Sequence, residues 1–231
     1  MDIVTNSFAQ LYTSSKETFV SCHKNCISIV ETDSDSTFNE LNIESPGDSF
    51  FSIDNSFYRD LYDGKSSVLG NVNCDGIVLV KHGEQKILLM VELKSNLDAD
   101  KISLAFQQEV RSFLKLNSSL SLCNGYNISD FVIRGVIACH PFKTEDARTK
   151  CLHNLQLEME LGKKDARFKY RMVNDKRITA RFADCAWFIP SNALSDNIKN
   201  HEFSIVLALG EKYEDSSETI NLEDITKAKN E

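Results

Sequence analysis

The most constraining stretch of this chain runs from Asp75 to Lys94 and contains the unbroken apolar run Ile87-Leu-Leu-Met-Val91. Asp75 to Lys81 is rich in β-branched residues, and Lys86 to Lys94 carries the apolar run, so both segments read as strands. His82-Gly83-Glu84-Gln85 between them supplies the glycine and polar residues of a tight hairpin connection. Folding about Gly83-Glu84 predicts paired residues whose numbers sum to about 167, with Asp75 opposite Glu92. Side chains alternate along a strand, so Glu92 and Lys94 point the same way. Directly paired residues bring their Cβ atoms to roughly 5 Å. Two carboxylates and one amine therefore meet at the open end of the hairpin.

That grouping is costly for a strand with only a structural task. Facing carboxylates repel, and partial burial makes each charge harder to hold. A divalent cation relieves both. Mg²⁺ prefers oxygen ligands and is commonly held by one or two carboxylates together with water and substrate phosphate. Metal-assisted hydrolysis of a phosphodiester uses these parts, with a lysine to orient the attacking water.

Asp75 followed by Glu92-Leu-Lys94 at the end of an apolar strand resembles the PD-(D/E)xK nuclease superfamily, which includes restriction endonucleases, Holliday-junction resolvases and anti-phage nucleases. Cys74 stands where the family's name has proline. The resemblance covers about 55–140. It implies an α/β three-layer sandwich, with a mixed central sheet flanked by helices as in restriction endonucleases. It also implies Mg²⁺ or Mn²⁺ held by Asp75 and Glu92, with Lys94 beside the attacking water. A helix ahead of the motif often donates a further acid in this family. Glu40, in a short helix at Phe38–Leu41, and Asp60, in a helix over 55–62, are the candidates, with Glu40 preferred. A glutamine on the helix after the motif often approaches the metal or scissile phosphate, which points to Gln108.

Length and composition bound the rest. At 231 residues the chain is one large domain or one domain with appendages, and no apolar run approaches a membrane span. Met1-Asp-Ile-Val does not begin a signal peptide, and seven scattered cysteines suit reduced thiols in the cytoplasm. Cys22-His23, Cys26, Cys139-His140, Cys151 and His153 lack the spacing of a zinc finger, so buried thiols are expected. A net charge of −8 argues against a broad, indiscriminate polyanion binder. It does not argue against a nuclease with an uneven charge distribution.

Along the chain, residues 1–30 predict helix from the spacing of Phe8, Leu11, Tyr12 and Phe19. Residues 66–72 read as a strand ahead of the hairpin. A helix is expected over 101–116, with Ile102, Phe106, Val110 and Phe113 as its buried stripe. Residues 117–127 read as a loop. Phe131 to Ala138 reads as a buried strand beside the Glu92 strand, reached by a crossover helix. Thr144-Glu-Asp starts a capped helix to about Leu161. Residues 163–181 form the basic cluster: Lys163, Lys164, Arg167, Lys169, Arg171, Lys176, Arg177 and Arg181, interleaved with Phe168 and Tyr170. Alternation over Arg167–Arg171, a turn at Asn174-Asp175 and a return strand over Ile178–Ile189 suggest a hairpin that grips phosphates. Further core strands are expected at 180–189 and 203–209, with Trp187 in the packing.

The expected organisation is a helical and acidic segment over 1–54, the nuclease-like core over 55–210, and an acidic tail over 211–231. That tail holds a short helix near Leu222 and reads as loose or as a docking peptide. The expected activity is DNA phosphodiester hydrolysis, with no membrane association. The chain carries no recognisable motor or sequence-reading domain, so it reads as an effector subunit of an anti-phage defence or repair complex. An ATPase or sensor would then lie on another subunit, and homo-oligomerisation stays open. A non-catalytic nucleic-acid-binding scaffold and an RNase on the same frame are the rival expectations.

Overall fold

The computed structural model describes residues 2–12, 19–54, 56–57, 69–70 and 72–227. In chain order its elements are α1 (Asp2–Tyr12), β1 (Val20–Val30), β2 (Glu40–Ile53), β3 (Gly76–His82), β4 (Gln85–Lys94), α2 (Ala99–Leu120), β5 (Phe131–Cys139), α3 (Glu145–Glu160), α4 (Ala166–Asp175), β6 (Arg177–Arg181), α5 (Asp196–Lys199), β7 (Glu202–Leu209), β8 (Ser217–Asn221) and α6 (Leu222–Thr226). The fold is mixed α/β. Its eight-stranded mixed sheet runs β1-β2-β3-β4-β5-β7-β6, with β8 pairing β2.

The centre of the sheet explains the apolar run. β4 is antiparallel to β3 and parallel to β5, which is in turn parallel to β7. Leu88 and Met90 point to one face, where they pack with Ile102, Phe106, Val110 and Phe113 of α2. Ile87, Leu89, Val91 and Leu93 point to the other, beneath Phe38 and the α6 residues Leu222 and Ile225. A strand covered on both sides has no polar face, so it loses the alternation of a half-exposed strand.

The expected α2 stripe, the β5 strand and the capped α3 helix all form. Ile102, Phe106, Val110 and Phe113 are buried, and the Thr144 side chain accepts from the Ala147 amide. α2 continues to Leu120, beyond its expected end and into the stretch read as loop.

Three expectations are corrected. The helix expected over 1–30 stops at Tyr12, and Val20–Val30 is a strand. Most of β1 is solvent-exposed, so its residues carry little period-two signal. Residues 163–181 form no hairpin. Ala166–Asp175 is a helix whose buried residues Ala166, Lys169, Met172 and Val173 recur at helical spacing. The return strand shortens to Arg177–Arg181 and is followed by a 3₁₀ turn at Phe182–Cys185. The C-terminal stretch is built into the fold as far as α6: Ser217–Asn221 adds in parallel to Glu40–Glu44 of β2, and Leu222 and Ile225 are fully buried. The short helix expected near Leu222 is present.

Most of the expected helix over 55–62, including Asp60, lies outside the described residues, as does most of the expected strand over 66–72. Among the described residues no helix is long and apolar enough to cross a membrane.

Candidate active site

The β3–β4 hairpin has the expected register. Pairs run from Gly76 with Val91 to His82 with Gln85, and Gly83 takes the left-handed conformation at the turn (φ 56°). Glycine meets that conformation without the Cβ clash of other residues. Continuing the register sets Asp75, just ahead of β3, across from Glu92. Asp75 reaches over the end of β4, where its Oδ2 accepts from the Leu93 backbone N–H at 2.7 Å. Glu92 follows Leu88 and Met90 on the α2 face of β4 and is only 1 % exposed. Its Oε1 pairs with the Lys94 ammonium, while its Oε2 has no hydrogen-bond partner.

Two acids missed from the sequence join this pair. Glu109 of α2 is 1 % exposed, and neither carboxyl oxygen has a hydrogen-bond partner of good geometry. It lies over Gly135 of β5, where a Cβ would come within 2.2 Å of Glu109 Oε2. The glycine makes room for the carboxyl on the sheet. Glu109 falls on the buried α2 stripe between Phe106 and Phe113, so a carboxylate at a core-facing helical position was its visible signal.

Glu31 follows β1, and its charge acts on both Asp75 and Glu92. Its loop is fastened near Lys94. Ser95 Oγ accepts from the Thr37 amide at 3.1 Å, and Thr37 Oγ1 lies 3.1 Å from Nε2 of buried His140. Glu31, Lys94, Ser95 and Lys101 line an open cleft of about 290 Å³. No local sequence pattern marks Glu31; the β1–β2 ribbon and these ties bring it in.

Glu40, expected on a helix as the upstream acid, is the first residue of β2. Its Oε1 accepts from Ser28 Oγ on the exposed side of the ribbon, and Glu31 supplies the upstream charge felt by Asp75 and Glu92. Gln108, expected near the metal or the scissile phosphate, turns its amide to the backbone two residues ahead of Asp75. Its Nε2 donates to the Asn73 carbonyl at 3.1 Å. Ser112 Oγ accepts from the Cys74 amide at 2.8 Å. Lys115, fully buried, donates to the Val72 carbonyl at 3.1 Å and to Asn73 Oδ1 at 2.7 Å. One stripe of α2 thus grips the backbone that delivers Asp75.

Electrostatics follow from crowding. Burial pushes the Asp75 carboxyl up to about 6; the Leu93 amide and Lys94 oppose the shift and Glu31 adds to it. Burial and then the Asp75 charge push Glu92 up to about 8, against the pull of Lys94. Glu109 is raised well above the ordinary range, first by burial and then by Glu92. The cluster holds more negative charge than one lysine neutralises, and a protonated Glu92 or a bound cation would each relieve it.

Among the described residues, no three His, Cys, Asp or Glu side chains group closely enough to make a ready-built metal cage. The donors instead suit a cation held by Asp75 and the orphaned Glu92 oxygen, with water or phosphate completing its shell. Magnesium commonly accepts that mixture.

The basic cluster is largely committed within the fold. Lys163 pairs with Glu158 at 2.7 Å, and Lys169 is buried between Glu158 (2.9 Å) and Asp165 (3.1 Å). Arg171 lies 3.8 Å from Asp175, and Arg177 donates to the Ile225 and Lys227 carbonyls beyond β8. Lys164, Arg167 and Lys176 are exposed and form no ion pair among the described residues.

Comparison of the chain with family models, with curated proteins and with solved structures gives no match.

Proposed function

We propose that this protein is a metal-dependent phosphodiesterase acting on DNA, built on a three-layer, restriction-endonuclease-like arrangement. The observation that carries the proposal is the hairpin register: continued one pair beyond Gly76 and Val91, it sets half-buried Asp75 across from buried Glu92, with Lys94 two positions beyond Glu92 and paired with it. A purely structural site gains little from desolvating like charges.

Asp75 and Glu92 would hold Mg²⁺ or Mn²⁺, which supplies Lewis-acid polarisation of the phosphoryl group and a more acidic water. Lys94, paired with Glu92 in this structure, would be the donor to the attacking water or to charge building on the phosphoryl oxygens. Glu31 rims the cleft and adds negative potential for the cation. Gln108, Ser112 and Lys115 keep Asp75 in position through the 72–74 backbone.

A second reading, a non-catalytic nucleic-acid-binding subunit, draws support from the lack of a ready-built three-ligand cage among the described residues. Incubation with Mg²⁺ or Mn²⁺ and labelled single-stranded DNA, duplex DNA or RNA separates the possibilities. The proposal expects DNA cleavage that EDTA stops and Asp75→Asn or Lys94→Ala abolishes. Cleavage of RNA alone transfers the proposal to an RNase. Lack of cleavage on every substrate, with oligonucleotide binding intact, favours the second reading.

A further inference from the structure

A second cleft, of about 480 Å³, opens at the carboxyl ends of β5 and β7. Leu97, Val173 and Leu209 contribute apolar lining, and Lys143, Arg148 and Lys176 contribute positive charge. Phe142 offers a half-buried ring beside them. Glu145 is the one acid in the lining and is paired with Arg148 at 2.8 Å, so the two lysines leave the cleft cationic. The ends of the parallel strands connect it to the carboxylate site. Lys94, Cys139 and Leu209 lie in one register row. Neighbouring strands are about 4.8 Å apart, so Leu209 is about 10 Å from Lys94.

Lys176 supplies a separate observation. It caps α4 in the left-handed conformation (φ 55°), a position usually filled by glycine. Its backbone is held there, donating to the Met172 carbonyl at 3.1 Å and accepting from Leu207 at 2.9 Å. A long cationic side chain occupies a position where the backbone favours glycine. Lys143 is also fixed in place, 4.6 Å above the centre of the Tyr213 ring.

We infer that this cleft is a nucleotide subsite for single-stranded nucleic acid, with an unpaired base against Phe142 and the apolar lining and flanking phosphates on Lys143 and Lys176. The inference rests on the phosphodiesterase reading for its purpose but on the cleft for its chemistry. The volume suits a small-molecule-sized group, and aromatic faces accept any base. The subsite would take the strand segment adjoining the phosphate at Asp75 and Glu92.

Fluorescence anisotropy of the full chain with labelled single-stranded and duplex oligonucleotides, in EDTA and across a salt series, tests this independently of cleavage. Single strands are expected to bind more tightly than duplex. Lys143→Ala with Lys176→Gly should weaken binding about tenfold at low salt and flatten the salt dependence by about 1.4 in log–log slope, about 0.7 per lost contact. Phe142→Ala should cost about tenfold with the slope unchanged. Lys176→Gly relieves the backbone, so its melting temperature should match or exceed that of the wild type, and lost binding cannot be assigned to unfolding. Unchanged affinity and slope in the double variant, or no oligonucleotide binding by the wild type, overturns the inference. The predicted binding losses without cleavage by the wild type would leave the subsite standing and remove the catalytic reading. Cleavage with KM unchanged in the double variant would do the reverse.

Discussion

The Asp75 carboxylate accepts a hydrogen bond from the Leu93 backbone amide at 2.7 Å, fastening the acid ahead of β3 to the backbone at the end of β4. The same group thus has a structural tie and a proposed cation to serve. Asp75→Asn keeps an acceptor for Leu93 but loses the charge. We expect its melting temperature within about 3 °C of wild type, with Mn²⁺ binding by calorimetry lost and cleavage reduced by at least about 100-fold. Asp75→Ala removes the tie as well and should cost a further 1–2 kcal/mol, roughly the value of one hydrogen bond to a charged group.

The elevated carboxyl pKa values fix the sign of the pH response. Asp75 at about 6 and Glu92 at about 8 retain protons in the fold after the unfolded chain has lost them. The native state therefore binds more protons, and stability falls as pH rises from about 4 through 8. Between pH 5.5 and pH 8 in EDTA, Glu92 alone should cost about 3 kcal/mol, a fall in melting temperature on the order of 10 °C. Mn²⁺ should restore much of this at pH 8, and Glu92→Gln should flatten the slope. A flat profile in the wild type would contradict the crowding described here.

Lys115→Met tests the grip of α2 on residues 72–74. Removing the buried ammonium leaves the Val72 carbonyl and Asn73 Oδ1 without this donor. We expect a loss of about 2 kcal/mol in urea unfolding. Weaker Mn²⁺ binding should accompany it in the folded protein, because Asp75 loses its backing. Weakened stability with full Mn²⁺ affinity would make the grip structural only.

Gly135→Ala places a methyl group 2.2 Å from Glu109 Oε2 and 2.8 Å from an Ile205 carbon. Both neighbours must shift from buried positions, so the variant should lose about 1–3 kcal/mol in chemical unfolding. Pairing it with Glu109→Ala should recover part of that loss, a coupling that a double-mutant cycle measures directly.

Glu31 and Glu40 separate the two upstream acids. Glu31→Gln removes a charge that acts on Asp75 and Glu92 and should weaken Mn²⁺ binding by about threefold or more in calorimetry. Glu40→Gln changes a group engaged with Ser28 on the exposed ribbon and should alter binding by less than about twofold. The opposite ranking would return Glu40 to the site.

The parts legible in the sequence are those whose local pattern and tertiary setting agree. A glycine turn between two strand-like runs yields the Asp75–Glu92 register, and the spacing of Ile102, Phe106, Val110 and Phe113 yields α2. β1 is not legible because its strand lies largely exposed and offers no alternation, while Phe8 and Tyr12 give a helical signal just before it. The basic segment misleads because Arg167-Phe-Lys-Tyr-Arg171 alternates in charge, yet its burial follows the helical period. Glu31 was invisible because distant ties through Ser95 and His140 bring it near. Lys169 shows the limit of charge counting: in sequence it belongs to a basic patch, but in the fold two acids enclose it.

Because β8 pairs with the first half of β2 and α6 closes the core above it, Leu41 and Ile43 are left uncovered until residues 217–225 have been synthesised. The end of the β1–β2 ribbon that leads into Glu31 lacks its parallel neighbour before then. A ribosome-bound chain would hold Asp75 and Glu92 in a nearly finished hairpin while the edge of β2 still awaits the strand and helix made well after it.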